Sequence, residues 1–216
     1  MSRPADQFVH LPAGNFSEWL RDTETALRSG QAEANVPCGA CTACCRSSML
    51  IHIRPEETYA IARIPRELLS PARGWPKGHL MLGFNDRGHC PMLVDDQCSI
   101  YADRPQTCRR YDCRVFAATA IPLTTPPQPE IARRVAQWEF QYESDAGREE
   151  HRMVKRAAAF LRQNRDLFPP RFLPKPPAQV AALAIQIHRI FAELSAAEKD
   201  PATIAQAIVA ACLRVS

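Results

Sequence analysis

The spacing of apolar positions along the chain changes at about residue 36 and again at about residue 130. Before residue 36, apolar side chains from Phe16 to Leu27 recur at helical intervals, and Asn15 with Glu18 forms a capping box at the start of that stretch. After residue 130 the helical period returns in several stretches, the most regular of which begins at Val180. The pattern therefore predicts helices towards both ends of the chain.

Between residues 36 and 115 the apolar runs are short, which is typical of short strands and buried loops. They centre on Ile51, Met81 and Leu93. Pro55 with the acidic residues after it predicts the start of a short helix, and the stretch 70–78 predicts a loop. A segment with so thin a core is often held together by a metal centre.

These patterns predict an α+β fold, in which a small, loop-rich cysteine-cluster domain with short strands is flanked by an N-terminal helix and a C-terminal helical segment. The predicted division is an N-terminal helix and tail at 1–35, a metal-binding domain at 36–115, a proline-rich linker at 116–129 and a helical segment at 130–216. Within the last segment, Ile131, Trp138 and Tyr142 predict one helix, and Asp200-Pro201 predicts the start of another.

Composition narrows the class of protein. The chain has 216 residues, 46% of them hydrophobic, which is enough to bury a core. Its 27 basic and 23 acidic residues are well mixed, which argues against nucleic-acid binding. No apolar run reaches the ~18 residues of a membrane span, and the N-terminus lacks the pattern of a secretory signal. We therefore expect a cytoplasmic protein that binds neither nucleic acid nor membrane.

The cysteines are clustered in the middle of the chain. In a reducing cytosol such a cluster predicts metal ligation rather than disulfides. The first group reads CGACTACC, and its two-residue gaps allow a turning backbone to direct neighbouring sulfurs at one centre. Cys212 stands apart on an apolar helical stripe and is expected in the core. The candidate metal ligands are Cys38, Cys41, Cys44, Cys45, Cys90, Cys98, Cys108 and Cys113.

The adjacent pair Cys44-Cys45 leaves the number of sites open. Neighbouring side chains diverge in both strands and helices, so one ion cannot easily bind both sulfurs. Either the two residues serve two centres, or one of them is not a ligand. The sequence is therefore compatible with one metal site or two.

Other residues near the cysteines have two interpretations. Arginines at positions 46, 104, 109, 110 and 114 either lower the pKa of nearby thiols or pair with nearby aspartates. Because eight thiols are available, His79 and His89 are expected to be surface or packing residues. Tyr101, Arg104 and Pro105 are expected to shape the turn between Cys98 and Cys108.

The segments CGACTACC, HCPML and CSIYADRPQTCRRYDC resemble the YkgJ-like CxxCxxCC family, which is described as zinc- or iron-chelating. The resemblance covers about residues 36–115 and departs from the common pattern at Thr42, where members usually have glycine. It implies no particular reaction. The metal-binding residues that it implies are Cys38, Cys41, Cys44, Cys45, Cys90, Cys98 and Cys108.

The first functional hypothesis is a metal-binding protein with one or two all-cysteine centres that hold zinc or an iron–sulfur cluster. The tandem gaps, the Cys90-Pro91 pair and the local arginines favour iron–sulfur. The alternatives are an iron–sulfur oxidoreductase or electron carrier, and a zinc-stapled module whose C-terminal helices bind a partner protein. Because GxGxxG, GxxxxGK[ST] and HExxH are absent from the sequence, any catalysis has to depend on the metal centre.

Overall fold

The computed structural model describes residues 10–30, 33–34, 36–123, 129–193 and 200–214. The described helices, in chain order, are α1 (Phe16–Ser29), α2 (Thr58–Arg63), α3 (Gln106–Arg110), α4 (Arg114–Thr119), α5 (Pro129–Gln137), α6 (Asp145–Gln163), α7 (Pro177–Ile187), α8 (Ile190–Glu193) and α9 (Pro201–Leu213). The described strands are β1 (Leu11–Asn15), β2 (Ile51–Ile53), β3 (Leu69–Pro71), β4 (Leu80–Leu82), β5 (Leu93–Val94), β6 (Gln97–Cys98) and β7 (Trp138–Gln141). The mixture of helices and short sheets confirms the predicted α+β class.

The described residues form two compact units. The helical unit takes its residues from 1–30, 113–123 and 135–216, and the cysteine unit takes its residues from 31–112 and 124–134. Among the helices of the described segments, none combines the length and the apolar character needed to cross a bilayer. The division into four parts predicted from the sequence stays a prediction. The stretch proposed as a linker, 116–129, includes most of α4. Within it, residues 124–128 lie outside the described residues.

Helix α1 begins and ends where the sequence predicts. The Asn15 side chain accepts a hydrogen bond from the backbone N–H of Glu18 at 3.1 Å. At the other end Gly30 adopts a left-handed conformation with φ of 62°, and its N–H donates to the Ala26 carbonyl. A residue without a Cβ adopts this conformation at little cost, so Gly30 closes the helix.

The helix predicted through Tyr142 is wrong beyond Gln137. There α5 ends and β7 begins, with Trp138 and Phe140 buried and Glu139 and Gln141 exposed. This alternation is the period of a strand, and it prevails because β7 finds a parallel partner in β1. Strand β1 lies in a stretch for which the sequence pattern indicated no element.

The core of the helical unit includes a buried histidine. The His151 ring stacks on Phe16 with 4.2 Å between ring centroids. Its Nε2 donates to the Ala118 carbonyl at 3.0 Å, and its Nδ1 accepts from the Tyr142 hydroxyl at 2.6 Å. The neutral Nε2–H tautomer satisfies both ring nitrogens, and burial, followed by the charge of Lys155, lowers the pKa of His151 to about 4.

We expect acid to destabilise the helical unit through His151. In the unfolded chain this histidine binds a proton as the pH falls below ~6.5, whereas in the folded chain it stays neutral until about pH 4. The stability that neutral His151 contributes is therefore present above pH ~6.5 and falls by up to about 3 kcal/mol towards pH 4. Urea unfolding at several pH values measures this change in the free energy of unfolding.

The matched variant is His151→Gln, which keeps a side-chain donor but does not titrate. We expect it to be less stable than the wild type at pH 8 and to show a smaller loss between pH 6.5 and 4. Parallel pH profiles for the two proteins would exclude His151 as the source.

The cysteine unit is built on very short strands. Strands β2, β4 and β3 form an antiparallel sheet in that order, and β5 pairs with β6 in a hairpin. The apolar core behind these strands is correspondingly small. Its buried members are Ile51, Ile53, Ile64, Leu82, Met92 and Ile100.

Two local features of this unit differ from expectation. Helix α2 begins at Thr58 rather than at Pro55, because the chain makes a turn first and Glu57 occupies the N-cap position. The loop predicted at 70–78 begins two residues later, since Ser70 and Pro71 belong to β3.

Candidate metal centre

A single cavity of about 590 Å³ in the cysteine unit brings together the residues that the sequence singled out. Apolar side chains such as Ile51, Leu82 and Met92 form part of its wall, together with Tyr101 and Arg104. Its lining cysteines are Cys38, Cys41, Cys44, Cys45, Cys90, Cys98 and Cys108. All nine cysteines of the chain lie in described segments, and none of them forms a disulfide.

The first group of cysteines lies on a turn followed by one turn of 3₁₀ helix. The Cys41 N–H donates to the Cys38 carbonyl at 3.0 Å, and Gly39 between them has a φ of 54°, which favours glycine. Residues Cys44–Arg46 then form the 3₁₀ turn. Thr42, the departure from the common family pattern, accepts a hydrogen bond from Arg46 Nε at 3.1 Å, so its hydroxyl supports that turn.

The second group is positioned by backbone hydrogen bonds. The Cys90 N–H donates to the Cys45 carbonyl at 2.7 Å, which links the two groups directly. Cys98 lies in β6 opposite Leu93 of β5. The two residues of the hairpin turn, Asp95 and Asp96, both have positive φ, as a type I′ turn requires.

Cys108 is supplied by the short helix α3, and a buried carboxylate holds the start of that helix. Glu57 is only 3% exposed. Its Oε1 accepts from the Gln106 N–H at 2.5 Å, and its Oε2 accepts from the Arg54 N–H at 2.7 Å. On the same helix, the Thr107 hydroxyl donates to the His52 carbonyl of β2 at 2.6 Å. Helix α3 is thus fixed at its first turn, next to Cys108.

Four thiols of the cavity form a mutually interacting set, which we call the four-thiol set: Cys45, Cys90, Cys98 and Cys108. Each pair among them is close enough for the charge of one thiolate to raise the pKa of another. Cys90, Cys98 and Cys108 also pack against the small apolar core. Burial, followed by the neighbouring thiols, raises the pKa of Cys45 to about 11 and that of Cys108 to about 12. Such thiols keep their protons until a cation displaces them.

Cys38 and Cys41 form a pair beside the four-thiol set. Burial and then the charge of Cys41 raise the pKa of Cys38, while Arg134 and Arg104 lower it. Arg134 Nη2 also donates to the Cys38 carbonyl at 2.7 Å. Cys41 is linked to the set through its electrostatic effect on Cys45.

The remaining cysteines differ in their surroundings. Cys44 lines the cavity next to Cys45. Cys113 belongs to the helical unit, where its Sγ accepts a hydrogen bond from Trp138 Nε1 at 3.1 Å. Cys212 lies half-buried on α9 of the same unit. Ligation by Cys113 stays a prediction.

The arginines follow both interpretations that the sequence left open. Arg46 forms an ion pair with Asp96, and Arg109 pairs with Glu33 at 3.2 Å. Arg104, in contrast, lies close enough to Cys38 and Cys108 for its charge to lower the pKa of both thiols. No pattern in the sequence distinguished Arg104 from the other arginines.

Two histidines near the second group of cysteines lie outside the lining of the cavity, as far as the described residues define it. The ring of His79 stacks against His52, and the Nδ1 of His79 lies 2.8 Å from the Nε2 of His52. His89 lies at the end of a turn in which its N–H donates to the Asn85 side chain at 3.0 Å.

Residues 37–143 match the sequence profile of the CxxCxxCC family, described as a "putative zinc- or iron-chelating domain". This stretch of the chain is similar to the CxxCxxCC family. The match confirms the resemblance seen in the sequence and extends it beyond residue 115, through α4 and α5 to β7. Neither a curated protein nor a solved structure matches the chain.

The donor atoms of this stretch suit the metals named in the family description. Thiolates are soft ligands and bind both zinc and iron–sulfur clusters. In the described parts of the chain, no group of three or more His, Cys, Asp or Glu side chains is already arranged to hold one metal ion.

Proposed function

We propose that this protein binds an iron–sulfur cluster through Cys45, Cys90, Cys98 and Cys108. The observation that carries the proposal is the common cavity in which these four thiols influence one another. Four thiolates are the usual ligand set of such clusters. The largely apolar wall of the cavity also lowers the local polarity, which influences the reduction potential of a bound cluster.

The size of the cavity suits a cluster. Zinc binds sulfur at ~2.3 Å, so tetrahedral geometry places its four sulfurs about 3.8 Å from one another. A cluster inserts its own iron and sulfide atoms between the thiolates, and its ligands therefore stand further apart. The cavity of about 590 Å³ that the thiols line has room for the second case.

In this proposal the neighbouring residues Cys44 and Cys45 have different roles. Cys45 belongs to the four-thiol set, whereas Cys44 lies beside it on the same 3₁₀ turn. In a 3₁₀ helix, neighbouring side chains point about 120° apart. Cys38, Cys41 and Cys44 are then the thiols that a second centre in the same cavity would use.

The test is purification of the whole chain without oxygen, followed by metal and sulfide analysis. We expect brown protein with broad visible absorption, and iron accompanied by acid-labile sulfide. Two irons per chain indicate a [2Fe–2S] cluster, and four indicate a [4Fe–4S] cluster or two [2Fe–2S] clusters, so iron in excess of four per chain assigns a second centre to the remaining thiols. Colourless protein with stoichiometric zinc would contradict the iron–sulfur proposal and leave a zinc-binding domain.

A further inference from the structure

Arg104 brings a positive charge to the wall of the cavity, and no carboxylate among the described residues forms an ion pair with it. Its guanidinium carbon lies 4.0 Å from the centre of the Tyr101 ring. Its Nε is buried and has no hydrogen-bond partner among the described residues. The other arginine that lines the cavity, Arg109, is already paired with Glu33. Of these two lining arginines, Arg104 is therefore the one whose charge is not neutralised by an acidic side chain among the described residues.

The backbone fixes Arg104 relative to the thiols. The residue is extended, with φ of −62° and ψ of 145°, immediately before Pro105, the N-cap of α3. Its carbonyl accepts a hydrogen bond from Arg109 Nε at 2.9 Å, from one helical turn further along the chain. Because Cys108 lies on α3, which begins two residues after Arg104, the charge and this thiol are held close together. Cys38 approaches the same guanidinium from the other group of cysteines.

An anionic centre in the cavity would account for these features together. A metal held by four thiolates carries net negative charge, and a buried charge is costly unless an opposite charge compensates it. A buried N–H without an acceptor is equally unfavourable and is rare in folded proteins. Both costs are removed when the guanidinium faces an anionic metal–thiolate centre, whose sulfurs accept hydrogen bonds.

We infer that Arg104 is the counter-charge of the metal–thiolate centre and strengthens metal binding through its positive charge. This inference rests on the proposed metal-binding function, but it applies to zinc and to an iron–sulfur cluster alike. Tyr101 is the platform that holds the guanidinium in place, since arginine stacks well on aromatic rings.

The experiment compares three variants of the full chain. Arg104→Met keeps the apolar length of the side chain and removes its charge, and Arg104→Lys keeps the charge. Arg63→Gln is the matched control, because Arg63 pairs with Asp103 at the surface at 3.0 Å and does not line the cavity. Metal retention is measured by competition with a chelator, using the metal found in the wild type.

We expect Arg104→Met to bind metal roughly tenfold more weakly, Arg104→Lys to recover most of that loss, and Arg63→Gln to match the wild type. If the metal is iron, the reduction potential of Arg104→Met should also become more negative, because a cation stabilises the reduced centre. A purely structural role would leave that potential unchanged.

Three results would overturn the inference. They are equal retention in Arg104→Met and the wild type, equally weak retention in the Lys and Met variants, and weakening of the same size in Arg63→Gln. Should Arg104→Met not fold, Arg104→Gln is the neutral variant, with the same expectation. A wild type that holds no metal refutes the proposed function itself, which distinguishes that failure from failure of the role given to Arg104.

Discussion

Replacing Cys108 by serine should remove most of the metal from the protein, whereas replacing Cys212 should leave the metal content unchanged. Cys108 interacts with all three other members of the four-thiol set, and burial raises its pKa to about 12. Serine preserves the size of the side chain but offers a hard, weakly acidic oxygen, which is a poor ligand for zinc or iron–sulfur centres. We expect a loss greater than the ~10- to 100-fold that removal of an outer-shell partner costs.

The control for this substitution is well placed. Cys212 is half-buried on α9 in the helical unit, so Cys212→Ser tests the general effect of the exchange without touching the cavity. Metal content is measured per folded chain after size-exclusion chromatography. A second pair sharpens the test, because the ligand set predicts that Cys45→Ser loses more metal than Cys44→Ser. Equal metal content in the Cys108 and Cys212 variants would refute the proposed set.

Removal of the metal should unfold the cysteine unit and leave much of the helical unit intact. Binding by four thiolates contributes ~10 kcal/mol or more in small zinc domains. The cysteine unit has few other sources of stability, because its strands are two or three residues long and its apolar core is small. The helical unit has a core of its own, in which Phe16, Leu161 and Ile185 belong to the largest fully buried side chains among the described residues.

Hydrogen exchange resolved by peptide measures both parts in one sample. After chelation under reducing conditions, we expect fast exchange in β2 and β4 and continued protection in α6 and α7. Restored protection on return of the metal is the control for irreversible damage. Unchanged exchange in β2 and β4 of fully metal-free protein would rule out a structural role of the metal.

The spacing of the cysteines predicted that thiols would come together, but it did not predict which of them would lie close to one another. The two-residue gaps indicated that thiols would converge, because they restrict where neighbouring sulfurs can point. They did not indicate that Cys45 rather than Cys44 joins Cys90 and Cys98. That choice depends on the 3₁₀ turn and on the hydrogen bond from Cys90 to the Cys45 carbonyl, which joins positions 45 residues apart.

Elements that depend on distant partners were the ones that the pattern missed. Trp138, with Tyr142 four residues later, fits a helical face, and only pairing with β1 decides in favour of a strand. In the sequence, Glu57 is an acidic residue near the start of a helix. In the structure, its carboxylate accepts a hydrogen bond from the N–H of Gln106 in another helix. Asp95-Asp96 is a weaker turn signal than Asp-Gly, so the hairpin that positions Cys98 was not predicted.

The parallel pairing of β1 with β7 has a consequence for the order of events during synthesis. Leu11 of β1 pairs with Trp138 of β7, which lies more than a hundred residues later in the chain, and pairing over such a separation is slow. All four thiols of the set, in contrast, have been synthesised once Cys108 is added to the chain, about 30 residues before Trp138. At ~5–20 residues per second, the nascent chain therefore presents its complete set of soft ligands seconds before the helical unit can close. Metal loading during translation has that interval available.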